Sequence, residues 1–246
     1  LINSTTLEIQ TVVQPEDRKY LMSESLKQRL EHIEEQINQA CSRAGRKRNS
    51  VRLIGVTKNH DHSVVQALID SGVRDIGENR VQEILKKVPV LHGDYEMHMI
   101  GHLQTNKVAA VLPYINWLQS VDRLRLIERI EYCSNKERRL NVLVEVNTSG
   151  ERSKSGCSVD QCRQLCERAA ASPVLQLKGL MTIGPLGASE NEVRASFRLL
   201  RSLSEKITDL CPQAELSMGM SSDFSWAIEE GATMIRIGTA LAGGRI

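Results

Sequence analysis

At 246 residues, 41% of them apolar and 25% charged, the chain has the composition of an ordinary folded protein and is long enough to bury a full core. A formal charge of +2 is too small to direct it to nucleic acid or to a membrane surface. No apolar stretch approaches the length that spans a bilayer and the N-terminus carries no charged-then-apolar leader, so a cytoplasmic location is expected.

Residues 1–20 have few periodic apolar positions and end in the polar stretch Gln14 to Lys19, which predicts a flexible N-terminal extension outside a single domain over 21–246. From Ser23 onward, Leu26, Leu30, Ile33, Ile37 and Ala40 recur at helical spacing. Ser23 is the expected N-cap and Gly45 the expected stop. The basic cluster Arg46-Lys47-Arg48 follows that helix end, where its C-terminal dipole favours positive charge.

Short apolar runs then alternate with helical segments. The predicted strands are 51–57, 73–77, 97–100, 115–118, 141–147, 175–183, 214–218 and 234–237. Helices are predicted over 63–71, 80–87, 105–112, 123–136, 159–171, 190–210 and 222–230. Eight strands with intervening helices predict an α/β fold, a single (β/α)8 TIM barrel with an extra N-terminal helix. An open doubly wound sheet would fit the alternation too, but no Gly-x-Gly-x-x-Gly follows the first strand.

In such a barrel the reactive groups gather at the carboxyl ends of the strands. Lys58 closes the first apolar run, Val51 to Thr57. Burial there would lower its pKa toward a nucleophilic amine, the setting of a Schiff-base lysine, whereas a lysine snorkelling to solvent is the plain alternative. After the seventh strand, Met218-Gly-Met-Ser221-Ser222-Asp223 offers hydroxyls and backbone N–H groups, and Gly238-Thr239 repeats the arrangement after the eighth. Neighbouring strand ends of this kind predict a phosphate cradle. Arg236, set in an otherwise apolar strand, needs either an acid such as Glu78 or a ligand. Beside the ring nitrogen of pyridoxal phosphate it would keep that nitrogen unprotonated.

The six cysteines, Cys41, Cys133, Cys157, Cys162, Cys166 and Cys211, are irregularly placed and read as reduced thiols. His60 and His62 resemble the His-x-His of a metal-dependent amidohydrolase, but the last histidine of the chain is His102, which leaves such a metal short of ligands. They read instead as loop residues at a helix start, with His98 packed in a strand and His102 fringing the pocket. No metal is expected.

Seven ordered motifs carry a family resemblance. They are Ile76-Gly-Glu-Asn-Arg-Val-Gln-Glu83, Ile100-Gly-His-Leu-Gln-Thr-Asn-Lys107, Val146-Asn-Thr-Ser-Gly150, Lys154-Ser-Gly156, Gly179-Leu-Met-Thr-Ile183, Leu216 to Asp223, and Arg236-Ile-Gly-Thr239. Over about residues 22–243 the chain resembles the pyridoxal phosphate homeostasis proteins. The resemblance implies a barrel like the N-terminal domain of alanine racemase, of fold type III. It implies pyridoxal 5′-phosphate (PLP) held as a Schiff base on Lys58, with Asn79 beside the ring and Arg236 at the pyridine nitrogen. Ser221, Gly238 and Thr239 would surround the phosphate, with Ser217 close by, and Lys154 matches a second family lysine. The implied role is control of free vitamin B6 cofactor and of amino-acid and keto-acid balance by a monomer without established turnover, with PLP-dependent apo-enzymes as recipients. Asn59-His60 after the lysine, and Ala242 near the C-terminal Gly, depart from the family pattern.

A fold-type III racemase is the catalytic alternative. It needs a base on each face of the substrate, and beyond Lys58 the sequence offers no evident second one. A pure protein-interaction module, colourless when purified, is the non-enzymatic rival.

Overall fold

The computed structural model describes residues 15–135, 138–151 and 154–243, with side chains from residue 25 onward. Eight parallel strands close in chain order: β1 (Arg52–Val56), β2 (Asp75–Glu78), β3 (Glu96–Met99), β4 (Trp117–Val121), β5 (Leu140–Glu145), β6 (Leu175–Met181), β7 (Glu215–Ser217) and β8 (Met234–Ile237). Closure is made by β1 against β8, where Ile54 pairs with Arg236 and Gly55 with Ile237. The crossovers carry α2 (His62–Asp70), α3 (Val81–Lys87), α4 (Val108–Val111), α5 (Leu124–Cys133), α6 (Val159–Ala170), α7 (Glu190–Glu205) and α8 (Phe224–Glu229). The TIM barrel expected from the alternation is present.

Outside the ring runs α1 (Pro15–Arg43) and, after β8, the short α9 (Thr239–Ala242). Leu26, Ile33, Ile37 and Ala40 are buried, as the helical spacing demands. Polar ties hold α1 to α9 and α8: Arg29 Nε donates to the Leu241 carbonyl at 2.8 Å and Arg43 Nε to Glu229 Oε1 at 2.7 Å. At the C-terminus of α1 the Gly45 N–H bonds the Ser42 carbonyl and the Arg46 N–H bonds that of Cys41, with Gly45 at φ +63°. That is the Schellman arrangement, and it makes Gly45 the stop.

The start of α1 differs from the expectation. The helix begins at Pro15, so Ser23 lies inside it and is not its N-cap, and residues 15–20 are helical. Proline pre-sets the φ of a first helical residue, which suits Pro15 to that place. Residues 1–14 of the expected extension lie outside the described residues. Other differences are local. In place of a helix over 105–112, residues 105–114 form a four-residue α-turn flanked by two 3-10 turns, the second holding Pro113. The helix predicted to Leu210 ends at Glu205. β4 runs on to Val121 because Gln119 and Ser120, both buried, find hydrogen-bond partners within the fold. Among the described residues no helix is long and apolar enough to cross a membrane.

The core has two parts. The larger lies between strands and helices and includes Phe197, Leu68 and Ile84. The smaller is Ile54, Trp117, Leu143, Met181 and Met234, which alternate along their strands with the outward set and fill the barrel interior. The polar residues His98, Gln119, Ser217 and Arg236 share that interior parity and are all buried.

Candidate functional site

A cavity of about 400 Å³ opens at the carboxyl ends of the strands. Lys58, Asn79, Ser221, Arg236, Gly238 and Thr239 all line it, together with Glu145, Ser155, Ile183 and His102. Six of the seven residues expected from sequence therefore meet in one place. Ser217 does not line it. It is fully buried beneath, donating to Gln119 Oε1 at 2.7 Å and accepting from Arg236 Nη1 at 2.6 Å.

Lys58 stands in a tight turn just past β1, closed by the His60 N–H on the Thr57 carbonyl at 3.1 Å. Asn59 occupies the third position of that turn at φ +63°, a left-handed conformation that Asn tolerates better than other non-glycine residues. The Asn59-His60 departure thus belongs to the turn that presents the lysine. The burial expected of the Lys58 ammonium is not found: Thr57 is fully buried and Lys58 is exposed at the cavity.

Beneath this turn the ends of β1 and β2 are locked together. Thr57 Oγ1 donates to Glu78 Oε1 at 2.5 Å, and the buried Lys87 ammonium reaches the same oxygen at 2.7 Å and the Thr57 carbonyl at 2.9 Å. Burial pushes the Glu78 carboxyl up against the pull of Lys87 and Thr57. Glu78 is thereby committed, and it is not the partner of Arg236. The next residue, Asn79, reaches the cavity because Gly101 passes so close: a Cβ on Gly101 would stand 2.3 Å from the Asn79 carbonyl oxygen. The glycine of the Ile100-Gly-His motif is explained by that approach.

Arg236 is buried, with Nη1 on the Ser217 hydroxyl and Nη2 donating to the Thr182 carbonyl at 2.8 Å. Burial lowers its pKa to about 10, partly offset by Glu145 and Asp223, so the guanidinium stays charged at neutral pH with N–H groups to spare. At the neighbouring wall, Ser221 Oγ accepts from the Gly238 N–H at 3.3 Å. Among the described residues the backbone N–H groups of Ser221 and Ser222 find no protein acceptor. Asp223, which accepts from the Met220 N–H at 2.5 Å, folds that turn, and helix α8 begins only at Phe224.

Glu145, at the end of β5, was missed by sequence reasoning. It is 4% exposed, and burial together with the charge of Asp122 pushes its carboxyl up to about 7, against the pull of Arg236. Strand parity was the signal: Glu145 follows Leu143 on the interior face, as Arg236 follows Met234. His102 Nδ1 lies 3.3 Å from Asp122 Oδ2 at the rim.

Lys154 is outside the cavity lining. Its ammonium donates to the Gly184 carbonyl at 2.8 Å and pairs with Glu151 at 3.0 Å, tying the loop after β5 to the loop after β6. His60 and His62 flank Asp61, the N-cap of α2 that accepts from the Ser63 N–H, and His98 is a buried strand residue. The six cysteines are free thiols. Asp75, Glu96 and His98 are the one set of metal-ligand type among the described residues, and the guanidinium of Arg52 already occupies it.

The donor set fits a phosphorylated pyridine aldehyde: an amine on one wall, a buried cation on another, and hydroxyl and backbone donors between them. Comparisons with known proteins agree. Residues 28–246 match the family described as "Alanine racemase, N-terminal domain". The chain is 41% identical over 222 residues to the pyridoxal phosphate homeostasis protein of Aquifex aeolicus, covering 89% of this chain and 97% of the relative. Among solved structures, an unknown protein from Bifidobacterium adolescentis superposes with a TM-score of 0.83 at 36% identity, over 90% of this chain and 96% of that one. PipY of Synechococcus elongatus with PLP bound superposes with a TM-score of 0.76 at 33% identity, over 89% and 100%. With its barrel, its motifs and relatives of this similarity along nearly their whole length, the chain belongs to the pyridoxal phosphate homeostasis protein family, within the alanine racemase N-terminal domain fold.

Proposed function

We propose that this protein carries PLP covalently on Lys58 and acts in cytoplasmic vitamin B6 homeostasis, as a monomer that hands cofactor to apo-enzymes rather than turning over substrate. The observation that carries the reading is the convergence of Lys58, Arg236 and the Ser221–Thr239 donor set on one cavity whose volume suits a cofactor. When bound, PLP supplies an aldehyde that condenses with a lysine amine and an aromatic ring able to withdraw electrons. The residues do the rest. The turn at Asn59 presents the Lys58 amine to the cavity, and the Ser221 and Ser222 backbone N–H groups with the Thr239 hydroxyl would hold the phosphate. Asn79 limits the ring edge. Arg236, a permanent donor at the cavity wall, would meet the ring nitrogen and oppose its protonation, which would weaken the ring as an electron sink.

Titrating the purified protein with PLP tests this. Wild type is expected to develop a visible absorption band at one equivalent, and Lys58→Ala to lose that band. A band retained in full by Lys58→Ala refutes the assignment. Sedimentation of the loaded protein checks the monomer.

Glu145 favours one second reading, amino-acid proton transfer, because it puts a carboxyl able to carry a proton at neutral pH in the same cavity as Lys58. Incubating loaded protein with L- or D-alanine in heavy water decides between them. The carrier reading expects α-deuterium exchange no faster than with free PLP, whereas sustained exchange abolished by Glu145→Gln establishes catalysis.

A further inference from the structure

The interior of the barrel holds a polar chain that runs from the cavity floor to the opposite end of the fold. Arg236 Nη1 donates to Ser217 Oγ at 2.6 Å, and Ser217 donates to Gln119 Oε1 at 2.7 Å. Gln119 Nε2 lies 3.0 Å from His98 Nδ1, and His98 Nε2 lies 2.9 Å from Asp75 Oδ1. Arg52 closes the chain by bonding both Asp75 and Glu96, the latter at 2.8 Å, and Glu96 accepts from Trp117 Nε1 at 2.6 Å. The links come from β8, β7, β4, β3, β2 and β1.

The direction of every bond is fixed from both ends. A guanidinium only donates, so the Ser217 oxygen accepts from Arg236 and its proton goes to Gln119 Oε1. That orients the Gln119 amide with its N–H toward His98, whose Nδ1 must accept. From the other end, the Asp75 carboxylate only accepts, so His98 Nε2 carries the proton. The two deductions meet on one state, a neutral His98 protonated at Nε2. Burial lowers the His98 pKa despite Asp75, in keeping with that state. The ring is also stacked on Trp117, 5.3 Å between centroids and 9° between planes, so it has no freedom to rotate the chain out of register.

We propose that Gln119 and His98 are positioning residues for Arg236: they transmit to its guanidinium the orientation anchored at Asp75 and Arg52, and so fix how it meets the ring nitrogen of the bound cofactor. The proposal rests on PLP occupying the cavity as described above. Arg236 on its own is held by Ser217 and the Thr182 carbonyl, and Ser217 can swing about its Cα–Cβ bond unless Gln119 takes its proton. Removing the Gln119 amide, two hydrogen bonds away from the Arg236 guanidinium, frees that rotation without touching the cavity wall.

Gln119→Met keeps the shape of the side chain and removes its hydrogen bonds to Ser217 and His98. His98→Phe keeps the stack on Trp117 and removes the acceptor for Gln119. Three readouts are made on PLP-loaded protein: borohydride trapping on Lys58, the PLP dissociation constant, and the pH titration of the visible band. Wild type must trap PLP on Lys58, and if it does not, the cofactor reading fails and not the chain. With trapping intact, Gln119→Met is expected to bind PLP about tenfold more weakly, the scale of one hydrogen bond to a charged group. Its band should acquire a protonation step at higher pH than wild type, because a loosened guanidinium no longer excludes a proton from the ring nitrogen. Nitrogen-15 spectra of wild-type imidazoles should show His98 protonated at Nε2 and bare at Nδ1. Should Gln119→Met not fold, His98→Phe reads the same quantities. A folded variant with wild-type affinity and a wild-type band titration, or a His98 protonated at Nδ1, overturns the proposal.

Discussion

Glu145 ties the pH response of the protein to its cavity. Its carboxyl is pushed from an ordinary 4.5 up to about 7, chiefly by burial, so the folded state holds a proton that the unfolded chain has released. Its contribution to stability is fully present below about 4.5 and is lost as pH rises through 7, by about 3 kcal/mol in all. Urea midpoints measured from pH 4.5 to 8 should fall with pH in wild type and fall less in Glu145→Gln. An identical slope in both proteins contradicts the assignment. At the turn before α2, Asn59→Val should cost about 1–2 kcal/mol, since a β-branched residue resists the left-handed conformation at φ +63°. Asn59→Gly should be tolerated, and thermal unfolding of the pair checks both. Lys58 and Arg236 were legible in the sequence because both lie at strand ends beside the Ser221 and Gly238-Thr239 segments and within the stretch that carries the family resemblance. Glu145 was not, since its run continues through Val146 and only the alternation in a known register shows that it points inward. The exposure of Lys58 was not legible either, because it follows from a turn and not from the strand.

Element by element, the legible features were those with strong periodicity or a covalent signature. Helix α1 shows its apolar stripe and its Gly45 stop plainly, yet its start at Pro15 was not legible because a proline signals a first turn by backbone preference and not by apolar spacing. β4 was cut short at Leu118 since Gln119 looks like the end of a strand until His98 and Ser217 satisfy it across the barrel. Partners that distant in sequence leave no local trace. The ends of β2 and β3 offer a test at this scale. A methyl group on Gly101 has no room beside the Asn79 carbonyl, so Gly101→Ala must displace the strand end that carries Asn79 into the cavity. PLP affinity is expected to drop at least tenfold while the far-ultraviolet circular dichroism stays that of the barrel. Unchanged affinity would show that the end of β2 does not shape the site.

At the level of the whole molecule, the barrel divides its labour along its axis. Arg52, Asp75 and Glu96 close the amino-terminal end with charge, apolar side chains and the His98–Gln119–Ser217 chain fill the middle, and the cavity opens at the carboxyl end. A ligand that binds only the folded form stabilises it by mass action, about 2.7 kcal/mol at a hundredfold excess over the dissociation constant. Saturating PLP should therefore raise the melting temperature of wild type by several degrees and that of Lys58→Ala by less. The barrel class was legible because eight apolar runs alternate with helices. The interior chain was not, because it exists only once the eight strands close.

Lys58 as covalent anchor of the cofactor is tested by loading the protein with PLP, reducing with borohydride, digesting and weighing the peptides. One reduced phosphopyridoxyl adduct is expected, on the peptide carrying Lys58. An adduct found instead on Lys154 or Lys87, or none on Lys58 at full PLP occupancy, would contradict it.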